Sequence, residues 1–178
     1  MWRLYQFPLC LFSRKVRLLL AEKQIAHELH QVLPWEHHRA YRQLSHTDQT
    51  PLMHDPDRGM VLVDSRAICE FFEETVLEHS LMLGSAEGRA ETRRLVARFD
   101  EQFYAKVSRP LLHGRLLAPV ADTDRAKALL ADALWDAEGY LDEVGFLLGI
   151  QTWLAGPTLS LADLSAAEER SRCCDQVG

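Results

Sequence analysis

No stretch of this sequence is apolar over the ~20 residues that a membrane-spanning helix needs. Basic residues are the minority: 20 Lys and Arg stand against 26 Asp and Glu, a net charge of -6. That balance argues against a nucleic-acid surface and against a polybasic membrane anchor. Met1-Trp2-Arg3-Leu4-Tyr5 lacks an export-signal pattern, so a cytoplasmic chain is expected. Cysteine is scarce. Cys10, Cys69, Cys173 and Cys174 in 178 residues make no disulfide framework and contain no C-x-x-C pair, which fits a reducing compartment. Histidine is not scarce, but its spacing argues against a metal site. His37 and His38 are adjacent and point different ways, and His27 and His30, three apart on a strand, face opposite sides.

What is present begins with Leu4-Tyr5-Gln6-Phe7, a short apolar run that reads as a strand. Pro8 ends it, because proline cannot donate to a ladder. Phe12, Val16, Leu19 and Leu20 then recur at helical spacing, so Cys10 and Ser13 fall where a helix begins. Free backbone N–H groups and the positive end of the helix dipole meet there. With Arg14, Lys15 and Arg17 nearby, they bias a thiol toward the nucleophilic thiolate. A small buried cysteine and a plain serine cap satisfy the same spacing equally well.

A second strand is expected over 25–33. With a helix between them, the two strands make a right-handed parallel βαβ unit. Trp35 to Leu44 reads as a short helix or irregular segment anchored by Trp35 and Leu44. Thr50-Pro51-Leu52-Met53 and Met60-Val61-Leu62-Val63 flank the turn Asp55-Pro56-Asp57-Arg58-Gly59, which predicts an antiparallel hairpin. Ser65 is the expected cap of the next helix, with Ile68, Phe71, Phe72 and Val76 inward and Glu70, Glu73, Glu74 and Glu78 wet. The fold class is therefore an α/β thioredoxin-like domain over 1–78, a linker over 79–85, and an all-helical domain over 86–178.

In the helical part, Leu95, Phe99, Phe103 and Val107 mark one long helix that Pro110 kinks or ends. A break is expected over 118–124. Leu130, Leu134, Ala137, Leu141, Val144 and Leu148 form a further stripe, closed by Gly149. Trp153 to Pro157 reads as a turn that buries its tryptophan. Ser160 and Asp163 have capping-box spacing, and Leu159 and Leu164 the spacing of a hydrophobic staple. The segment 170–178 has no apolar period.

The chain resembles the cytosolic glutathione transferases in three places. Phe7-Pro8-x-Cys10-x-Phe12-Ser13 looks like their active-site turn. Asp64-Ser65-x-Ala67-Ile68 looks like their acidic-Ser glutathione motif, and Trp153-Leu154-Ala155-Gly156 with Ser160 and Asp163 like their helical-domain capping box. The resemblance implies a glutathione-dependent transfer or thiol exchange, with Cys10 or Ser13 catalytic and glutathione as cosubstrate, without a metal. It implies that Thr50, the cis-proline Pro51, Asp64 and Ser65 hold glutathione. It also implies a homodimer through the helices opened by Ser65 and Glu87, with Arg89, Arg93 and Arg94 facing Glu70, Glu73 and Glu74. Leu11 stands where cysteine-using classes have proline, and 44–49 replaces their Asn-Pro-x-Gly loop. Phe7 to Leu9, Phe12 to Leu18, Asp64 to Glu70 and Arg93 to Asp100 are also similar to a transferase-like group of bacterial division proteins, which implies FtsZ as an alternative partner and a binding role without catalysis.

Overall fold

The computed structural model describes residues 1–33, 36, 39–45, 49–112 and 123–174, by backbone alone at 40, 123, 125, 126 and 168–174. The expected anchor Trp35, the adjacent His37 and His38, positions 46–48 of the altered loop, the start of the expected break and the last four residues lie outside them. The chain divides into two compact units, Met1–Ser80 and Leu81–Gly178.

The first unit runs β1 (Trp2–Gln6), α1 (Leu11–Glu22), β2 (His27–Gln31), α2 (Arg39–Ser45), β3 (Leu52–Asp55), β4 (Met60–Val63) and α3 (Ser65–Thr75). The sheet order is β2-β1-β3-β4. β1 pairs parallel with β2, Tyr5 opposite His30. It pairs antiparallel with β3, Tyr5 opposite Leu52. β3 and β4 make the expected hairpin, Leu52 opposite Val63. In its turn the Asp57 N–H donates to Asp55 Oδ1 over 3.1 Å, and Gly59 takes the left-handed φ of +63° that its position requires. Leu4, Val16, Leu19, Leu20, Leu52, Met53, Ile68 and Phe72 are buried, so the central strands β1 and β3 and the helices α1 and α3 contribute apolar faces to this unit.

One carboxylate is buried here against expectation. Glu73, read as part of a wet face, meets Lys23 at 3.0 Å. Lys23 Nζ also donates to Val76 O at 2.7 Å and Glu78 O at 3.3 Å, and the Ser80 hydroxyl donates to Glu73 at 3.0 Å. The network ties the end of α1 to the end of α3. Glu73 therefore does not stand on the outer acidic face expected to meet arginines of a second copy. Arg94 is likewise occupied within the chain, by Glu91 at 2.8 Å through two hydrogen bonds.

The second unit is helical: α4 (Ala86–Ala97), a π-helical continuation Arg98–Ser108, α5 (Thr123–Ile150) and α6 (Leu161–Cys174). Ser85 caps α4 by accepting the Gly88 N–H over 2.9 Å. The wide turns precede Pro110. Arg109 N–H bonds back to Tyr104, five residues away. A proline ring crowds the carbonyl four residues before it, and widening the ladder relieves that clash. The helix does not end at Pro110; it continues through 112.

The core here is Leu95, Phe99, Phe103, Val107, Ala137, Tyr140, Leu154 and Ala162, with their neighbours. The inward face of α5 is thus rotated from the expected stripe: Ala133, Ala137 and Tyr140 are buried, while Leu134, Leu141 and Leu148 are exposed. The small alanines let the backbone come close, and the larger leucines are left on the flank. Asp163 collects Leu154 N–H at 2.8 Å, Ser160 N–H at 2.9 Å and the Ser160 hydroxyl at 2.7 Å. The serine donates to the box rather than accepting from it, so only one half of the expected reciprocal pair forms. Trp153 pairs with Gly156 across the turn but is not buried, at 38% exposure; Leu154 takes the inward place instead.

Candidate functional site

Strand register brings three separate segments to one edge of the sheet in the first unit. The end of β1 lies beside the start of β3, and the start of β3 lies beside the end of β4. The turn after β1 carries Cys10, the residues before β3 are Thr50 and Pro51, and the residue after β4 is Asp64. Pro8 and the Cys10 N–H bond to Phe7 O, at 2.9 Å, turn the chain out of the strand. The Cys10 carbonyl takes the Arg14 N–H at 3.0 Å and starts α1. Cys10 is the residue before the first turn of that helix, and its side chain does not cap it. It reaches across instead: the thiol donates to Thr50 O at 3.4 Å. The Thr50–Pro51 bond is cis.

Asp64, and not Ser65, caps α3. Its Oδ1 accepts the Arg66 N–H at 2.8 Å and the Ala67 N–H at 3.3 Å. A carboxylate takes two orphan donors where a hydroxyl takes one, and its charge suits the positive end of the helix. Asp64 holds φ of +79°, a left-handed conformation that a non-glycine residue adopts at a cost of ~1–3 kcal/mol and that clusters at ligand clamps. Ser65 is the buried first residue of the helix.

Ser13 and Cys10 differ sharply. Cys10 is half-buried, whereas Ser13 is enclosed, its hydroxyl without a hydrogen-bond partner among the described residues. Arg17, expected to act on the thiol, is directed to Gln6 Oε1 and to Pro8 O. Lys15 is fully buried in α1. Sequence reading missed Tyr41, which is buried with Val32 and Leu52 and donates to Gln49 O, fixing the approach to Thr50. A lone tyrosine in a charged segment carries too little period to reveal this. Among the described residues, no group of three or more His, Cys, Asp or Glu is placed to hold a metal. No described helix is long and apolar enough to cross a membrane.

The profile described as glutathione S-transferase, N-terminal domain, matches residues 9–75, a span that holds Cys10, Ser13, Thr50, Pro51, Asp64 and Ser65. Over 174 residues the chain is 37% identical to FtsZ-localized protein A of Caulobacter vibrioides, covering 94% of this chain and 75% of that protein. The chain belongs to the glutathione S-transferase family. A solved glutathione S-transferase from Rhodospirillum rubrum superposes on this family member with a TM-score of 0.87 at 34% identity, over 96% of this chain and 77% of that one. A glutathione S-transferase from Methylobacterium radiotolerans, solved with glutathione sulfonate, shares the fold at a TM-score of 0.78 and 23% identity, over 97% of this chain and 79% of its own.

Proposed function

We propose that this transferase-family chain binds glutathione at the sheet edge and exchanges thiols through Cys10. The observation that carries the reading is the half-buried Cys10 thiol beside the carbonyl that precedes cis-Pro51. An extended thiol peptide laid along that edge meets backbone groups of Thr50, the Asp64 cap and Ser65, the first residue of α3. The positive end of the α3 dipole suits its carboxylate. Burial separates the two candidate nucleophiles. A thiol must be reached by an incoming disulfide, and Cys10 is reachable while Ser13 is enclosed. In the exchange the Cys10 thiolate attacks the glutathione sulfur of a mixed disulfide between glutathione and another thiol, forms a Cys10–glutathione disulfide and expels the other thiol as its thiolate. A second glutathione thiolate then attacks the glutathione sulfur, which forms glutathione disulfide and returns the Cys10 thiolate. The chain works in the cytoplasm as a homodimer, on this reading.

Thiol-transfer turnover with wild type, Cys10→Ala and Ser13→Ala tests the proposal. Loss in the first variant and retention in the second is the expected ranking. The reverse ranking assigns the chemistry to the serine.

A second reading is favoured by one specific observation, the 37% identity to FtsZ-localized protein A across most of the chain. On it the fold serves as a docking module on FtsZ and regulates division without turnover. Co-sedimentation with FtsZ filaments, compared between wild type and Cys10→Ala, separates the two: docking survives loss of the thiol.

A further inference from the structure

We propose that the outer edge of β2 is a self-pairing surface, on which a second copy of this chain adds its own β2 antiparallel. This surface belongs to the first unit and is independent of the thiol reading. β2 is an end strand of the sheet, with β1 beside it. Gln6 lies opposite Gln31, and the Val32 N–H donates to Gln6 O at 2.8 Å. Backbone groups alternate in direction along a strand, so those of Glu28, His30 and Val32 turn to β1. Those of His27, Leu29 and Gln31 point the other way, out of the sheet. Such an edge is a template for another strand, and natural edges are blunted by lysine, proline or a bulge. His27-Glu28-Leu29-His30-Gln31 contains neither lysine nor proline, and its register with β1 is unbroken from end to end. At its centre Leu29 is 56% exposed.

The occupant follows from the symmetry of the edge. The outward groups at 27, 29 and 31 are arranged evenly about Leu29, so a two-fold axis through that residue makes the same patch meet itself. His27 then lies opposite Gln31 of the second copy and Leu29 opposite its own counterpart, and each pair exchanges both N–H···O bonds. The side chains agree with this register. On one face the two Leu29 side chains cover each other's exposed apolar surface. On the other, Glu28 lies opposite His30 of the second copy in a non-hydrogen-bonded pair, about 4.5 Å between Cα atoms. Within one chain the two are already neighbours, Glu28 Oε2 standing 3.4 Å from His30 Nε2, and Arg3 approaches the same carboxylate at 3.3 Å. Around the axis acid and imidazole therefore alternate, and no carboxylate directly faces another. A slip of one residue sets outward backbone groups opposite inward ones and loses both matches. The edge uses no residue of α3 or α4, the helices through which a homodimer is expected.

In the test the full chain carrying Leu29→Cys is oxidised mildly, and the linked peptides are read by mass spectrometry. Directly opposed Cα atoms about 5.5 Å apart lie within disulfide reach, so two copies should link through position 29. Gln31→Cys, whose counterpart stands roughly 13 Å away along the strand, should link to itself at least tenfold more slowly. A strand edge is a small contact, so the pairing is weak and is read by light scattering over a concentration series. Leu29→Lys sets like charges opposite each other and should weaken it at least tenfold. His30→Glu, which places carboxylate against carboxylate, should weaken it likewise. Both side chains lie on the edge, so the first unit keeps its core, and pairing through the helices survives either substitution. Equal linking at 29 and 31, or a mass that Leu29→Lys leaves unchanged, overturns the proposal. So does a disulfide from position 29 to a native cysteine of the same chain, because the edge is then covered from within.

Discussion

At the scale of single residues, the buried ion pair of Lys23 and Glu73 is the largest departure from what a helical pattern reveals. Glu73 sits in a run with Glu70 and Glu74, and nothing local separates the inward carboxylate from its wet neighbours. Its partner lies 50 positions earlier, beyond the reach of periodicity. Removing one member of a buried pair strands the other, at about 3–5 kcal/mol. Glu73→Ala should lower the stability of the first unit by that order in urea unfolding, whereas Glu74→Ala, at an exposed position, should change it little. Tyr140 gives a pH prediction. Burial pushes its phenol up, and the nearby Arg98 guanidinium, 4.1 Å from the ring centre, partly offsets this. A group whose pKa is raised on folding contributes stability that is complete below the unfolded value of about 10 and is lost as pH rises through the folded one. The stability difference between wild type and Tyr140→Phe should therefore shrink between pH 9 and a strongly alkaline pH, in paired urea titrations. At neutral pH the variant also loses the Arg98 hydrogen bond, worth about 1 kcal/mol.

At the scale of elements, the order βαβ, hairpin, helix is legible because Pro8, the Asp55–Gly59 turn and the Asp64-Ser65 pair are local signals with local causes, although the cap is Asp64 and not the expected Ser65. The end of β1 and the start of α3 announce themselves, the cis-proline is implied by the resemblance, and strand register then brings all three to one edge. The helical unit is less legible. A 4-3 stripe names a seam without saying which half of it meets the unit's own core, and the answer depended on small Ala133 and Ala137 admitting a close neighbour. Trp153, expected inside, is exposed for the same reason: apolar character does not tell a core residue from the lining of a groove. Gly88 shows how tertiary packing reverses a local rule. In a helix Gly→Ala ordinarily gains about 1 kcal/mol. Here a Cβ would stand 2.7 Å from Leu83 Cβ, which cannot swing away. Gly88→Ala should therefore lower the melting temperature, by the ~1–3 kcal/mol typical of overpacking. Gly139→Ala, with nothing near its added Cβ, should raise it.

At the scale of the whole molecule, fold and family were readable because three motifs in the right order span both units, and the family assignment rests on matched residues across most of the chain. Chemistry was less readable. Cys10 and Ser13 are three residues apart in one turn, and only the enclosure of the serine distinguishes them. The central claim is that the sheet edge formed by Cys10, Thr50, cis-Pro51, Asp64 and Ser65 is a glutathione seat. Calorimetric titration of the full chain with glutathione tests it most directly, with Ser65→Ala alongside as the variant that removes a contact while leaving the Asp64 cap in place. The account predicts saturable binding at one site per chain, weakened in the variant by about 1.5–3 kcal/mol, the worth of a hydrogen bond to a charged group. A wild-type chain that gives no heat at millimolar glutathione contradicts it.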